Sequence, residues 1–157
     1  TIFIPCAMGG TGIDDWQAGV DHEDRTTLYG SMIYRAKKVL ATGATLRGVL
    51  WWQGEHEAVS GMSSADYNTY LDSLASSINT DLGIPIFPCK LQDMSPDTDN
   101  SNVNADIAEA WGDNANVIGS VDFSDLAADD AYHLKTDAKL TTAGGRWADA
   151  IKTQFGW

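Results

Sequence analysis

The sequence has 157 residues, enough for one domain with a hydrophobic core of its own. Its 22 acidic residues outnumber its 10 basic residues, and the formal net charge is -12. This charge argues against nucleic acids and anionic membranes as partners, because both attract basic surfaces. No apolar stretch approaches the roughly 20 residues that a membrane-spanning helix needs.

The amino-terminal part contains two features of interest. Residues 1–6 are an apolar run that predicts a short buried strand, and a glycine-rich loop follows at residues 8–12. Such a loop lets backbone N–H groups approach a ligand closely, although it lacks the Lys-Ser/Thr ending of a phosphate loop. Cys6 and Cys89 each end an apolar run, which predicts two buried free thiols rather than a disulfide.

Helices and strands are then predicted to alternate. Helices are expected over residues 26–42, from a cap at Ser63 to Gly83, over residues 103–111, and after a cap at Thr141 or Thr142. The predicted inner face of the last helix consists of Trp147, Ala148, Ile151 and Phe155. Strands are expected at residues 48–52, 84–91 and 116–123. This order implies parallel βαβ units and a single three-layer α/β/α domain over residues 1–157.

The most informative segment is Trp-Trp-Gln-Gly-Glu at residues 51–55, where a predicted buried strand ends abruptly in polar residues. In an open parallel sheet, ligands bind at the carboxyl ends of the strands. The side chains of Gln53 and Glu55 are therefore expected at the functional edge of the sheet.

The three histidines differ in their surroundings. His22 lies in a solvated acidic stretch, which favours a surface role, and His56 lacks zinc-binding spacing because residue 60 is a serine. No metal site is predicted. His133 follows Asp130 in the spacing Asp-x-x-His, before the last helix. A carboxylate in that position can accept a hydrogen bond from Nδ1–H and leave Nε2 free as a general base.

Three segments together resemble the SGNH hydrolases: residues 7–13 with Trp16, residues 51–55, and the pair Asp130 and His133. They are similar in particular to the branch that holds sialate O-acetylesterase and the acetylxylan esterases of carbohydrate esterase family 6. The resemblance covers essentially the whole chain and implies a flavodoxin-like parallel sheet. It also implies hydrolysis of acyl esters, acetyl above all, on a carbohydrate or a small ester, with no metal or organic cofactor.

The resemblance assigns roles to individual residues. His133 would deprotonate a serine, and Asp130 would orient the imidazole. Gly10 would donate a backbone N–H, and Gln53 a side-chain N–H, to the tetrahedral oxyanion. The other residues that it implies in or around the substrate site are Glu55, Trp52, Gly9 and Thr11.

Two of these positions have open alternatives. Glu55 would orient Gln53 or line the acyl pocket, or else it holds a loop backbone in place. Trp52 and Trp16 would stack on a sugar, or else they are buried packing residues.

The chain departs from the family pattern in two places. Residues 56–57 are His-Glu where these relatives usually have Ser-Asp, and no Gly-Asp/Gln-Ser segment is present to carry the nucleophile. In the flavodoxin-like strand order 2-1-3-4-5, strand 1 lies between the run at residues 1–6 and the strand at residues 48–52. We therefore expect a separate N-terminal fragment of the same protein to supply strand 1 and the serine.

Two other classes of function remain as alternatives. The first is a non-catalytic carbohydrate-binding or structural module, such as part of a viral tail spike, that keeps the fold without the serine. The second is a flavodoxin-like nucleotide binder, which is disfavoured by the lack of a phosphate loop. An esterase that acts on a polysaccharide is expected to be secreted.

Overall fold

A computed structural model describes residues 2–94, 98–119 and 121–156. Its sheet has three parallel strands in the spatial order β1-β2-β3. The strands are Val49–Trp51 (β1), Ile86–Lys90 (β2) and Val121–Asp122 (β3). Val49 lies opposite Ile86, and Cys89 lies opposite Val121. Helices join each strand to the next, so the predicted parallel α/β class is confirmed.

Five α-helices and one 3-10 helix surround these strands. The α-helices are Leu28–Leu40 (α1), Glu55–Ser60 (α2), Ser64–Leu82 (α3), Ser101–Asp113 (α4) and Asp137–Phe155 (α5), and the 3-10 helix is Ile13–Trp16. As the sequence predicts, α3 begins after Ser63, whose Oγ accepts a hydrogen bond from the Asp66 N–H at 3.2 Å. This cap satisfies an N–H that the helix itself leaves unpaired.

The sheet separates two hydrophobic cores, which gives the fold its layers. The core shared with α1, α3 and α4 includes Tyr29, Leu71, Ile86 and Ile107. The core shared with α5 includes Phe87, Cys89, Phe123 and Trp147. Ile86 and Phe87 are neighbours on β2 and face opposite cores, because successive side chains of a strand point to opposite faces. None of the helices in the described ranges is long and apolar enough to cross a membrane.

The predicted first strand is wrong. Residues 2–6 form no strand, and residue 1 lies outside the described residues. Ile2 and Phe3 are 75% and 72% exposed. Pro5 has no N–H to give to a strand ladder, and its carbonyl accepts a hydrogen bond from Arg35 Nη1 on α1 at 2.7 Å. The apolar composition of residues 2–6 is therefore not enough to form a strand, because a strand also needs a neighbouring strand with which to hydrogen-bond.

A groove of about 730 Å³ lies between residues 2–8 and the outer edge of β1. We call it the edge groove, and the side chains that line it include Phe3, Cys6, Met32, Leu50, Ile151 and Phe155. Within the described part of the chain, no strand pairs with this edge of β1. Leu50 is 36% exposed there. The edge groove is thus at the position where the sequence predicts a missing strand.

The last helix begins earlier than predicted. α5 starts at Asp137, and the Leu140 N–H donates to the Thr136 carbonyl at 3.0 Å, so neither Thr141 nor Thr142 is the cap. The helix continues through the glycine pair at residues 144–145, although each glycine costs about 1 kcal/mol relative to alanine.

The burial of α5 and two other elements also differ from prediction. Ala148 is exposed, and the buried face is formed by Ala143, Trp147 and Ala150. The strand expected at residues 116–123 is confined to β3 and an isolated bridge between Val117 and Ile86, and residue 120 lies outside the described residues. The short helix α2 was not predicted.

Candidate active site

The glycine loop, residues 8–12, lies at the mouth of the candidate site. Gly10 has φ 76°, in the left-handed region that favours glycine. No atom of the described residues lies within 4 Å of the place where a Cβ would stand on Gly9 or Gly10. The Thr11 hydroxyl donates to the Met8 carbonyl at 2.9 Å and accepts from the Trp16 indole at 3.0 Å. The loop therefore has a fixed shape and an open backbone.

Gln53 follows β1 and reaches this loop. Its Nε2 donates to Glu57 Oε2 and lies 3.5 Å from the Thr11 carbonyl, one residue from Gly10. The backbone carbonyl of Gln53 accepts a hydrogen bond from the Tyr67 hydroxyl at 3.1 Å. Burial raises the pKa of Tyr67 well above its ordinary value, and the nearby Glu57 carboxylate raises it further. Tyr67 therefore stays protonated as a donor.

Gly54 is required at its position for two reasons. Its φ is 142°, which L-residues rarely adopt. A Cβ there would lie 2.7 Å from Val103 Cγ1 and 3.0 Å from Leu91 Cδ1. Helix α2 begins at the next residue, so the closely packed backbone at Gly54 lies between Gln53 and the helix that carries Glu57.

Glu57 belongs to the site, and sequence reasoning did not find it. It is 1% exposed, and its Oε1 accepts a hydrogen bond from the Ile13 N–H at 2.5 Å. Its Oε2 accepts from Gln53. An acid four residues after Gln53 was the signal available in the sequence, although the helix that places it beside Gln53 was not predicted.

His133 and Asp130 form the predicted pair. His133 Nδ1 lies 3.1 Å from Asp130 Oδ2, and Asp130 Oδ1 accepts from the N–H groups of Tyr132 and His133, each at 2.7 Å. The Lys135 ammonium contacts the same carboxylate at 2.5 Å. Lys135 first, then these N–H groups and the His133 ring, hold the pKa of Asp130 well below its ordinary value. The His133 side chain is 62% exposed.

Gln92 joins the two parts of the site, and sequence reasoning did not find it either. It is fully buried just beyond β2. Its Oε1 accepts from the Trp52 indole at 3.0 Å, while its Nε2 donates to Glu55 Oε1 at 3.2 Å and to the Tyr132 carbonyl. A polar residue directly after a buried apolar strand was the available signal, as at Gln53.

These contacts bear on the open alternatives. Glu55 contacts Gln92, whereas Gln53 is contacted by Glu57. Trp16 is 4% exposed and packs edge-on against Trp51 at 5.6 Å, so it is a core residue. Trp52 is half-buried and packs on Phe123, with ring centroids 4.8 Å apart. One part of Trp52 is left at the surface of the site.

The other histidines and the cysteines have no assigned role in the site. His22 contacts Asp81 at 2.8 Å, whereas His56 is exposed but borders the glycine loop, because a Cβ on Gly12 would lie 3.1 Å from His56 Cδ2. Among the described residues, no group of three or more His, Cys, Asp or Glu side chains is arranged to hold a metal ion. Cys89 is a buried free thiol, whereas Cys6 is a half-buried free thiol outside the sheet.

The structure therefore links the three predicted segments by a chain of contacts. Thr11 in the glycine loop contacts Gln53, and Glu55 contacts Gln92. Gln92 in turn holds the backbone of the residue before His133. The donors at Gln53 and the imidazole lie on different loops at the carboxyl edge of the sheet, which is an arrangement suited to acyl transfer.

Comparison with known proteins gives three findings. A family model described as carbohydrate esterase, sialic acid-specific acetylesterase, matches residues 2–153. A probable carbohydrate esterase of Arabidopsis thaliana is 32% identical over 86 residues, which cover 55% of this chain and 31% of that protein. The X-ray structure of an Arabidopsis thaliana protein with the same locus designation superimposes with a TM-score of 0.73 at 27% identity. That alignment covers 96% of this chain and 60% of the solved chain.

Proposed function

The chain belongs to the carbohydrate esterase family of the sialic acid-specific acetylesterases, and from this premise we propose that it forms part of a serine esterase. The proposed reaction is hydrolysis of acyl esters, acetyl esters in particular, on a carbohydrate. The observation that carries the proposal is the contact chain through Gln92, which joins Glu55 beside Gln53 to the loop of His133. The chain spans about a third of the curated relative that it matches.

In the proposed mechanism, a serine Oγ attacks the ester carbonyl carbon while its proton passes to His133 Nε2. Asp130 accepts the Nδ1–H, and its negative charge stabilises the imidazolium that forms. Because its pKa is held well below its ordinary value, Asp130 is a carboxylate near neutral pH. The imidazolium then donates its proton to the sugar oxygen as the acyl C–O bond breaks, so that the sugar leaves as a free hydroxyl and an acyl-serine remains.

The oxyanion of the tetrahedral intermediate would be held by the Gln53 side-chain N–H and the Gly10 backbone N–H. One fixed donor of this kind contributes about 10²–10³-fold to the rate. Water then attacks the acyl-serine while His133 takes its proton, and the imidazolium returns that proton to the serine Oγ as the carboxylic acid leaves. His133 relays every proton among the serine, the leaving sugar oxygen and water, so the proposed mechanism invokes no cofactor.

We propose that an N-terminal fragment of the same protein supplies the serine from the edge groove. An extended segment there would pair with the outer edge of β1 and cover apolar side chains such as Phe3 and Leu50. A strand parallel to β1 would end beside the glycine loop and Gln53, at the carboxyl edge where parallel strands bind ligands. A serine at that end would lie near both proposed oxyanion donors.

The test is labelling of the native protein with a fluorophosphonate, followed by mass spectrometry under denaturing conditions. We expect the label on a serine outside residues 1–157, on a smaller polypeptide that stays associated with this chain. Labelling of a serine within this chain would overturn the proposed origin of the nucleophile. Absence of any label, together with sugar binding without turnover, would replace the esterase by a non-catalytic carbohydrate-binding module.

A further inference from the structure

We propose that Glu57 is the positioning residue of the oxyanion site: its carboxylate orients the Gln53 amide so that an N–H, not the carbonyl oxygen, faces the substrate. The catalytic consequence of this inference rests on the proposed function. Its structural part rests on the contacts that Glu57 and Gln53 make with each other and with residues 11–13.

The orientation of the Gln53 amide has one evident cause. A carboxylate only accepts hydrogen bonds, so the amide must present its NH₂ group to Glu57 Oε2. The opposite orientation would place the amide oxygen against a carboxylate oxygen. In the observed orientation, Gln53 Oε1 is buried without a hydrogen-bond partner among the described residues. The charge of Glu57 therefore outweighs the loss of a partner for that oxygen.

The second N–H of the Gln53 amide remains available. Its nearest protein acceptor is the Thr11 carbonyl at 3.5 Å, which is too long for a strong hydrogen bond. An oxyanion that forms near Gly10 would be a better acceptor for the same N–H, because it carries charge and lies beside the same loop. The donor is thus directed toward the site and is not consumed within the protein.

Glu57 also links Gln53 to the glycine loop itself. Its Oε1 accepts from the Ile13 N–H, and a Cβ on Gly12 would lie 3.1 Å from the same oxygen. One buried carboxylate therefore sets the distance between the loop that carries Gly10 and the amide of Gln53. Both proposed oxyanion donors depend on this one side chain.

The decisive variant is Glu57→Gln, made in the protein together with the fragment that carries the serine. The new amide can still accept from Ile13 through its oxygen, but its NH₂ group would then face the NH₂ group of Gln53. Gln53 must turn its oxygen toward residue 57, which turns its N–H groups away from the site. We expect kcat to fall about 10²-fold with KM nearly unchanged.

Two further variants provide controls. Glu109→Gln makes the same chemical change on the exposed face of α4 and is expected to leave kcat unchanged. Glu57→Asp keeps the charge on a shorter side chain, and its kcat is expected to lie between those of the unsubstituted protein and Glu57→Gln. A purely structural role would predict that Glu57→Asp and Glu57→Gln lose kcat in proportion to their loss of stability.

Nuclear magnetic resonance of the Gln53 side-chain amide tests the geometry without activity. We expect one of its two protons downfield, since it is bonded to a carboxylate, and we expect this shift to vanish in Glu57→Gln. An unchanged signal and an unchanged kcat would overturn the inference. If Glu57→Gln does not fold, the same signal in Glu57→Asp decides, because only an anion at residue 57 keeps it downfield. The downfield proton in a protein that hydrolyses no ester would overturn the proposed function and leave the orienting role of Glu57 standing.

Discussion

The two sides of the candidate site are held in place by different kinds of contact. On the oxyanion side, Gln53 and Glu57 contact Thr11 and Ile13, which lie 42 and 44 residues away in the sequence, and Glu57 is 1% exposed. On the other side, the His133 side chain is 62% exposed, and Asp130 is held by partners no more than five residues away. The oxyanion side thus depends on the complete fold, whereas the histidine loop is organised largely by its own short sequence.

This difference predicts how each side responds to substitution. A buried, long-range contact contributes to both stability and catalysis, because its loss leaves polar groups unpaired in the interior. An exposed residue can be removed with little effect on stability. Variants in the histidine loop should therefore lose activity with little loss of stability. Variants on the oxyanion side should lose both.

The largest expected effect on activity is that of His133→Ala. We expect ester hydrolysis by the complete protein to fall about 10⁴-fold or more, because the general base is lost. The free energy of unfolding should change by less than about 0.5 kcal/mol, since the side chain is mostly exposed. Steady-state kinetics and urea unfolding measure the two quantities, and His22→Ala, which removes a histidine that contacts Asp81 outside the candidate site, is the control for activity. Near-normal hydrolysis by His133→Ala would remove it from the mechanism.

The largest expected effect on stability is that of Gly54→Ala. The new Cβ would overlap Val103 and Leu91 and would be held at a φ of 142°, so we expect a loss of about 2–4 kcal/mol. Gly61→Ala is a matched control, because Gly61 also has a positive φ, 71°, but has open space around it. It should lose only about 1–2 kcal/mol. Equal losses in urea unfolding would show that the contacts with Val103 and Leu91 do not matter.

Gln92→Ala tests the connection between the two sides. It leaves the Trp52 indole N–H and the Tyr132 carbonyl without their partner, so we expect a loss of about 1–3 kcal/mol in unfolding free energy. The His133 loop would lose its anchor to the sheet, and kcat should fall by up to about 10²-fold through misplacement of the base. Gln154→Ala, on the exposed face of α5, is the control in both assays. A stable Gln92→Ala variant with normal kcat would show that the two sides are independent.

The smallest expected effect is the acid response of the histidine loop. Because its folded pKa is lowered, Asp130 stabilises the loop above its ordinary pKa of 3.8, and this contribution is lost as the pH falls below that value. In His133→Ala, where residue 133 carries no imidazole, the Tyr132 backbone amide signal should stay constant from pH 7 to about 5 and move only below about pH 4. A second substitution, Asp130→Asn, should abolish that transition. A transition near neutral pH would contradict the assignment to Asp130.

The sequence predicts correctly what is decided locally. The cap at Ser63, the stop at Gly83 and the polar residues after β1 are short-range features, and all three are found in the structure. Asp130 and His133 are three residues apart, so their contact also follows from spacing.

The wrongly predicted first strand and the two missed site residues depend on partners far away in the sequence. Residues 2–6 have strand-like composition, but the described chain offers them no paired edge. Glu57 and Gln92 act through contacts with Ile13 and Tyr132, which lie 44 and 40 residues away. Such contacts cannot be read from local pattern, because they arise only when the loops meet at the edge of the sheet.

The cramped position of Gly54 has a consequence for how members of this family are compared. Its glycine is demanded by Val103 on a neighbouring helix and by an unusual backbone angle, not by any step of the reaction. A relative that had lost catalysis would still need this glycine in order to fold, but would be free to replace Gln53 or His133. Within the Gln-Gly-Glu segment, the glycine therefore reports a shared architecture, whereas the proposed role of Gln53 predicts that the preceding residue differs between active and inactive relatives.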